Sequence, residues 1–325
     1  MQKRKLGFTD LEFTTVGLGT WAIGGPWEWG WGPQDDEASI ATIQKAIDLG
    51  VNWLDTAPAY GLGHSEEVIG KAIKGRRDKV YIATKCGLVW NDPSERRVFN
   101  RLDADSVRQE VEDSLRRLDV DVIDLYQIHW PNPDAKIEEA WGAIADMIET
   151  GKLRYAGVSN FNITQIKRLQ AIHPVASLQP PYSMLVRGVE AELLGFCQQN
   201  EIGVIPYGTM YYGLLTGKFN KQMAADLPDD DHRSGKRDFQ EPNLSVNLEF
   251  VEKLRPIADR NDKSLAHLAI AWVLQRPEIT AAIVGARRPD QIEETVKASD
   301  WQLSAEDVAE IEALLAEREE LIRGS

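Results

Sequence analysis

The strongest constraint in this chain is a rhythm. Eight short apolar segments, at residues 15–18, 52–55, 80–85, 122–128, 154–159, 176–179, 203–207 and 280–284, each give way to a stretch of helical period. The helical stretches are 35–49, 65–73, 103–118, 136–150, 163–172, 189–200, the pair 248–260 and 264–274, and 289–298. In the first of them Asp35 or Asp36 can cap the start, Ile40, Ile43 and Ile47 line one face, and Gly50 stops it. A strand that always returns through a helix re-enters its sheet in the same direction, so strict alternation implies parallel strands. Eight such units without a break in composition fit a closed (β/α)8 TIM barrel, and a doubly wound open sheet is the competitor. Residues 3–6 and 11–14, joined through Gly7 and Asp10, predict an N-terminal β-hairpin, and 305–323 an extra C-terminal helix. The expected fold is thus α/β, one barrel domain over residues 1–325.

Composition narrows the partners. A net charge of −14 and a pI near 4.9 argue against nucleic acid and anionic membrane surfaces, which both need a basic footprint, so an anionic ligand has to be held by local groups. The two cysteines, Cys86 and Cys197, are too few for a disulfide framework and outline no metal site. The basic start, Met1 to Lys5, runs into Gly, Thr, Asp and Glu rather than an apolar stretch, which is not a secretory signal, and no segment is apolar over a membrane-spanning length. A cytoplasmic location is the default expectation.

A barrel brings every strand's carboxyl end to one face, and the residues there carry chemistry. The second strand ends at Asp55, followed by a loop broken by Pro58 and Gly61 that carries Tyr60; the third ends at Lys85 and the fourth at His129. Each has a plain reading by itself: a loop cap, a half-buried aromatic, a solvated charge, a hydrogen-bonded structural histidine. Together they fit one reaction. A buried ammonium beside a phenol favours phenolate and lowers its pKa, Asp55 is the counter-ion of Lys85, and an imidazole N–H can orient an oxygen that is becoming an alkoxide. That is carbonyl reduction, which also requires a hydride donor. The string Gly17-Leu18-Gly19-Thr20-Trp21-Ala22 matches a dinucleotide-binding fingerprint, but Gly24-Gly25-Pro26 and three tryptophans follow where that fingerprint needs a helix.

The strings GLGTW (17–21), NWLDTAPAYGLGHSE (52–66), ATK (83–85), DLYQIHWP (124–131), GVSNF (157–161), GLLTGKF (213–219) and IVGARRPDQIEE (283–294) resemble, in order and over nearly the whole chain, the aldo-keto reductase superfamily. The likeness is to the branch similar to potassium-channel β-subunits and their bacterial relatives. It implies a (β/α)8 barrel, NADPH bound without a Rossmann motif and with NADH use left open, and a catalytic set of Asp55, Tyr60, Lys85 and His129. It places Gly19, Thr20, Trp21 and Asp55 beside the cofactor, with Ser159, Asn160 and Gln179 at the nicotinamide carboxamide and Tyr207 stacked on the ring. Gly208, Thr209, Met210, Leu214 and Lys218 wrap the pyrophosphate; Gly285, Arg287, Gln291 and Glu294 surround the adenosine end, with Arg287 or Arg288 supplying charge for a 2′-phosphate. Two departures bear on this. Tyr207-Gly208-Thr209-Met210 stands where many relatives have Trp-Ser-Pro-Leu, and Gly285 and Gln291 stand where other branches place lysine and arginine.

Trp27, Trp29 and Trp31 fall in the first strand-to-helix loop, and Trp90 and Trp130 in others on the same face. Trp21, Trp27, Tyr60, Trp90, His129 and Trp130 therefore outline an aromatic pocket for a small carbonyl compound with hydrophobic groups, although tryptophans also serve to pack loops onto a barrel. The polar stretch 221–247 is an insertion on that face. Three functions stay open: an NADPH-dependent aldehyde or ketone reductase, a cofactor-binding regulatory partner with slow turnover, and a barrel hydrolase or isomerase using Asp55 and His129.

Overall fold

The computed structural model describes residues 1–228 and 231–324; residues 229 and 230 of the polar insertion lie outside them. The alternation resolves into eight strands: β1 (Val16–Gly19), β2 (Trp53–Asp55), β3 (Tyr81–Cys86), β4 (Ile123–Ile128), β5 (Leu153–Ser159), β6 (Ser177–Gln179), β7 (Gly203–Val204) and β8 (Ala282–Gly285). From β1 to β7 each pairs in parallel with its sequence neighbour, and β1 also pairs in parallel with β8. The ring closes where Val204 bridges Ile279 and the Thr280 and Ile283 N–H groups donate to the carbonyls of Val204 (2.8 Å) and Pro206 (3.0 Å). A doubly wound sheet would reverse its strand order and leave two edges, so the barrel is the architecture.

The helices are α1 (Asp36–Asp48), α2 (His64–Ala72), α3 (Ala104–Leu118), α4 (Ile137–Glu149), α5 (Ile163–Gln170), α6 (Leu193–Gln199), α7 (Asn243–Arg260), α8 (Leu265–Leu274), α9 (Pro289–Thr295) and α10 (Ala305–Gly324). Asp35 caps α1 by accepting the Ala38 N–H at 2.8 Å. Helix α8 is buried along its whole length, as its nearly unbroken apolar sequence requires. Several boundaries move. The seventh strand stops at Val204 because Pro206 has no N–H to donate, and Tyr207 rejoins only by a bridge to Pro181. The helix expected over 189–200 is a 3₁₀ turn, Gly188–Glu190, followed by α6, and α7 begins at Asn243 rather than 248. A small hairpin, Leu88–Val89 with Phe99–Asn100, and a short helix, Lys221–Ala225, carried too little periodicity to be read in advance.

The N-terminal hairpin, Lys3–Lys5 paired with Glu12–Thr14, stoppers one mouth of the barrel. Its Leu6, Leu11 and Phe13 pack inside with Trp53, Ala83, Leu125, Ala176, Ile205, Ala281 and Ile283. Phe13 stacks on Trp53 at 4.6 Å, and the Trp53 indole N–H donates to the Thr14 carbonyl at 2.9 Å. Gly17 makes room for that indole, because a Cβ there would sit 2.0 Å from it. With this end filled, the face at the strand carboxyl ends is left for function. No described helix is long and apolar enough to cross a membrane.

Candidate active site

The site starts from the turn after β2. Tyr60 N–H donates to Ala57 O (3.1 Å), Leu62 N–H to Ala59 O (3.2 Å) and Gly63 N–H to Pro58 O (2.6 Å), which coils the segment tightly above the strand. Gly61 has φ +65, and a Cβ on it would lie 1.8 Å from the Gly24 carbonyl oxygen, so two loops cross here backbone on backbone. Below the crossing, Ser65 Oγ meets Thr56 Oγ1 at 3.0 Å and donates to Thr20 Oγ1 at 2.8 Å. Thr20 Oγ1 in turn donates to the Asp55 carbonyl at 3.0 Å. These hydroxyls tie the start of α2 to the ends of β1 and β2.

Lys85 is fully buried, with Nζ 2.9 Å from each Asp55 carboxylate oxygen, 2.8 Å from Thr56 O and 3.3 Å from the Tyr60 hydroxyl. Gln179 Nε2 donates to Asp55 Oδ2 at 2.7 Å and holds the carboxylate from the other side. Burial lowers the pKa of Lys85, and the adjoining Asp55 opposes that. The Tyr60 phenol departs from the sequence expectation. Burial above all, then the charge of Asp55 and the nearby Tyr207, push its pKa well above the ordinary value. The ammonium does not offset this, because Asp55 sits on the same Nζ and the phenol faces a largely neutralised pair rather than a free cation, so burial prevails. The His129 ring lies edge-on to Tyr60 at 5.9 Å; burial, then the Lys85 charge, hold its pKa well below the usual 6.5. The arrangement is a protonated phenol beside a neutral imidazole.

A second network joins the next strand ends. Ser159 Oγ donates to Gln179 O (2.8 Å), Asn160 Nδ2 to Ser159 Oγ (3.0 Å) and His129 O (3.1 Å), and the Tyr207 hydroxyl to Asn160 Oδ1 (2.9 Å). Asn160 takes a left-handed conformation (φ 65), which asparagine tolerates better than most residues. Ser159, Asn160 and Gln179, read as carboxamide ligands, thus also support one another and Asp55.

Both networks open into one cavity of about 980 Å³. Of the residues singled out from the sequence, Gly19, Trp21, Asp55, Ser159, Asn160, Gln179, Tyr207, Gly208, Thr209, Met210, Lys218, Gly285, Arg287, Gln291 and Glu294 line it, with Trp27, Tyr60, His129 and Trp130. Four others do not. Lys85 lies behind Tyr60, Thr20 is in the hydroxyl cluster, and Leu214 is in the apolar core. Trp90, expected on the pocket wall, instead sits under the Arg117 guanidinium at 5.8 Å, because the strand after Gly87 turns outward into the small hairpin.

At the expected adenosine end the two arginines differ in their surroundings. Arg287 is engaged by the first loop, donating to Gln34 Oε1 (2.7 Å), Trp31 O (3.3 Å) and Pro33 O (2.5 Å), which leaves two of its five N–H groups. Arg288 is outside the cavity, paired with Asp290 at 3.0 Å, and Gln291 Oε1 accepts the Arg287 N–H at 2.8 Å as a helix cap. Sequence reasoning missed His232, Arg233 and Lys236, which line the cavity from the insertion. A polar stretch without periodicity gave no sign of which side chains turn inward.

The cavity suits a nicotinamide dinucleotide. It offers the Tyr207 ring at the barrel mouth and the cations Lys218 and Arg287, neither with an acidic partner within ion-pair distance among the described residues, on a chain of net charge −14. The Gly17–Ala22 string leads into a 3₁₀ turn, Trp21–Ile23, and not a Rossmann helix. Among the described residues no cluster of His, Cys, Asp or Glu could hold a metal ion.

Comparison with known proteins agrees with this geometry. The Aldo/keto reductase family model matches residues 15–316. The chain is 41% identical over 318 residues to aldo-keto reductase YhdN of Bacillus subtilis, covering 97% of this chain and 94% of that protein. It is 35% identical to the NADH-specific methylglyoxal reductase of Escherichia coli over 94% and 96% of the two chains. Among solved structures, glycerol dehydrogenase AKR11B4 of Gluconobacter oxydans superposes with a TM-score of 0.89 at 38% identity, over 97% and 95% of the chains. With a stoppered eight-stranded barrel, an acid, phenol and ammonium at its open face, and these relatives over nearly its full length, the chain belongs to the aldo/keto reductase family of oxidoreductases.

Proposed function

We propose that this protein reduces aldehydes or ketones to alcohols with NADPH, Tyr60 giving the proton. The observation that carries this is the buried contact of the Tyr60 hydroxyl with Lys85 Nζ at 3.3 Å, at the wall of a cavity large enough for a dinucleotide and a small carbonyl compound. When bound, the reduced nicotinamide supplies the hydride; the chain's own residues handle the proton. A phenol kept protonated by burial is ready to donate to a carbonyl oxygen as negative charge develops there. The phenolate left behind gains from Lys85, whose position is set by Asp55 and Thr56 O, and Gln179 restrains Asp55 in turn. A neutral His129 presents an N–H to the same oxygen without competing for the role of acid. Ser159, Asn160, Gln179 and Tyr207 would hold the nicotinamide end, and Lys218 and Arg287 the phosphates. The pyrophosphate is common to both cofactors, so the preference for NADPH rests on Arg287 alone.

The test is consumption of NADPH and, separately, NADH with a panel of aldehydes and ketones, followed by the absorbance of the reduced nicotinamide. The expected result is carbonyl-dependent oxidation, faster with NADPH. Tight NADPH binding with no turnover on any carbonyl would favour the regulatory reading, and no response to either cofactor would favour a hydrolase or isomerase.

A further inference from the structure

Glu66 is a fully buried carboxylate for which the proton-transfer scheme has no use. It stands in the first turn of α2, the helix that begins as soon as the Tyr60 turn ends. Its Oε1 accepts from the Thr84 hydroxyl at 2.6 Å and its Oε2 from the Arg117 Nε–H at 2.7 Å. Taking a charge out of water is costly unless it is paired and hydrogen-bonded, and here the guanidinium on one oxygen and the hydroxyl on the other meet both conditions. What the carboxylate joins follows from these two partners.

Thr84 is itself fully buried and immediately precedes Lys85 on β3. Successive residues of a strand face opposite ways, so Lys85 points into the barrel while Thr84 points out to the helix layer, where Glu66 meets it. Arg117 comes from the last turn of α3. Its Cδ fills the space beside Gly63, the residue that ends the Tyr60 turn and precedes α2; a Cβ there would lie 2.7 Å from it. Farther along α2, a Cβ on Gly70 would lie 2.8 Å from the carbonyl oxygens of Arg117 and Leu118. Helix α2 is thus pressed against the end of α3 at Gly63 and Gly70 and tied to β3 at Thr84, with Glu66 at the junction.

The junction bears on one distance. Lys85 Nζ is held by Asp55 and the Thr56 carbonyl, whereas the Tyr60 hydroxyl is hydrogen-bonded, among the described residues, to that Nζ alone. At 3.3 Å this contact is already long, so a small displacement of the turn would break it. Ser65 ties the start of α2 to Thr20 and Thr56; Glu66 ties it to the strand that bears Lys85 itself. We infer that Glu66 and Thr84 are positioning residues: their bond couples the turn that carries Tyr60 to the strand that carries Lys85 and keeps the phenol within reach of the ammonium. This rests on the reading of Tyr60 as proton donor and extends it to two residues behind the cavity wall.

The test uses the full chain with NADPH and one aldehyde that the wild type reduces, in single-turnover stopped flow. Thr84→Val keeps the side-chain shape, removes the hydroxyl and leaves Glu66 paired with Arg117, whereas Glu66→Leu would strand that guanidinium in the interior and endanger the fold. Thr84→Val should lower the single-turnover rate by about 5- to 30-fold, short of the ~10²-fold that a 1 Å misplacement can cost, with NADPH affinity and KM within about 2-fold. Thr84→Ser, which returns the hydroxyl, should keep at least about half of the wild-type rate. In a Tyr60→Phe background Thr84→Val should cost less than about 2-fold more, because the phenol it positions is gone. A folded Thr84→Val with more than about half of the wild-type rate, a parallel fall in NADPH affinity, or full additivity with Tyr60→Phe overturns the inference. If the wild type reduces no carbonyl compound, or Tyr60→Phe reduces it as fast as the wild type, the proposed function fails by itself. The Cζ resonance of carbon-13-labelled tyrosine, assigned to Tyr60 by its loss in Tyr60→Phe, then decides the inference without turnover. A shift in Thr84→Val that Thr84→Ser does not show supports it; an unchanged resonance, or an equal shift in both, refutes it.

Discussion

Tyr60→Phe isolates the proposed proton donor, because it removes one oxygen and leaves the ring. That ring is held by Trp27 at 6.1 Å, His129 at 5.9 Å and Lys85 Nζ 5.0 Å from its centroid, none of which requires the hydroxyl. Lys85 keeps both Asp55 oxygens at 2.9 Å and Thr56 O at 2.8 Å, enough acceptors for its three N–H groups. The loss of stability should therefore be about 1 kcal/mol or less, that of one hydrogen bond. The loss of rate should be far larger. A positioned general acid contributes roughly 10²- to 10⁴-fold, or about 2.7 to 5.4 kcal/mol of barrier at 1.36 kcal/mol per decade. Single-turnover oxidation of bound NADPH by a carbonyl substrate, measured by stopped flow, reads the chemical step apart from product release. NADPH affinity from tryptophan quenching should not change. A mutant that keeps more than about a tenth of the wild-type single-turnover rate would refute the role of Tyr60, and an equal fall in cofactor affinity would point to a damaged site rather than a lost proton.

Lys85→Met should strip Asp55 of its cation, leave it only Gln179, and destabilise the fold by ~3 to 5 kcal/mol in urea unfolding; Lys85→Met with Asp55→Asn should recover much of that. Recovery of less than about 1 kcal/mol would show that the two residues are not coupled. Arg287→Ala should loosen the first loop and weaken both cofactors, with NADPH losing a further ~1.5 to 3 kcal/mol in fluorescence titration if its remaining N–H groups meet a 2′-phosphate. Equal losses would leave NADPH preference without a residue. Glu110, buried where it accepts the Gly87 N–H at 2.8 Å, has its pKa raised from 4.5 to about 8. A raised pKa means that its contribution to stability is complete below pH 4.5 and is lost as pH rises through 8. Glu110→Gln should flatten that decline in unfolding midpoints taken from pH 5 to 9, on the order of a few kcal/mol at about 1.4 kcal/mol per unit; an unchanged slope would place the titration elsewhere.

The architecture was legible in the chain because alternation of strand and helix is a local pattern, and parallel strands with short returns leave few ways to close. The ends of β2, β3 and β4 followed from it: once the strands are parallel, Asp55, Lys85 and His129 share a face whatever the details of packing. Boundaries were less legible where one residue decides them, as Pro206 does for β7. Contacts between segments distant in sequence belonged to the tertiary structure alone. That Asp55 neutralises Lys85 and leaves Tyr60 protonated depends on a buried geometry no spacing encodes. That Arg287 reaches back to the loop at Trp31, Pro33 and Gln34 depends on the last strand closing beside the first. Trp90 looked like its fellow tryptophans until the hairpin after β3 carried it outward, and His232 looked like one polar residue among many until the insertion folded it against Trp21 and Trp31. Periodicity reports which face of an element is buried; it says nothing of which loop side chains meet across a cavity, because that is set by the three-dimensional path of the loops.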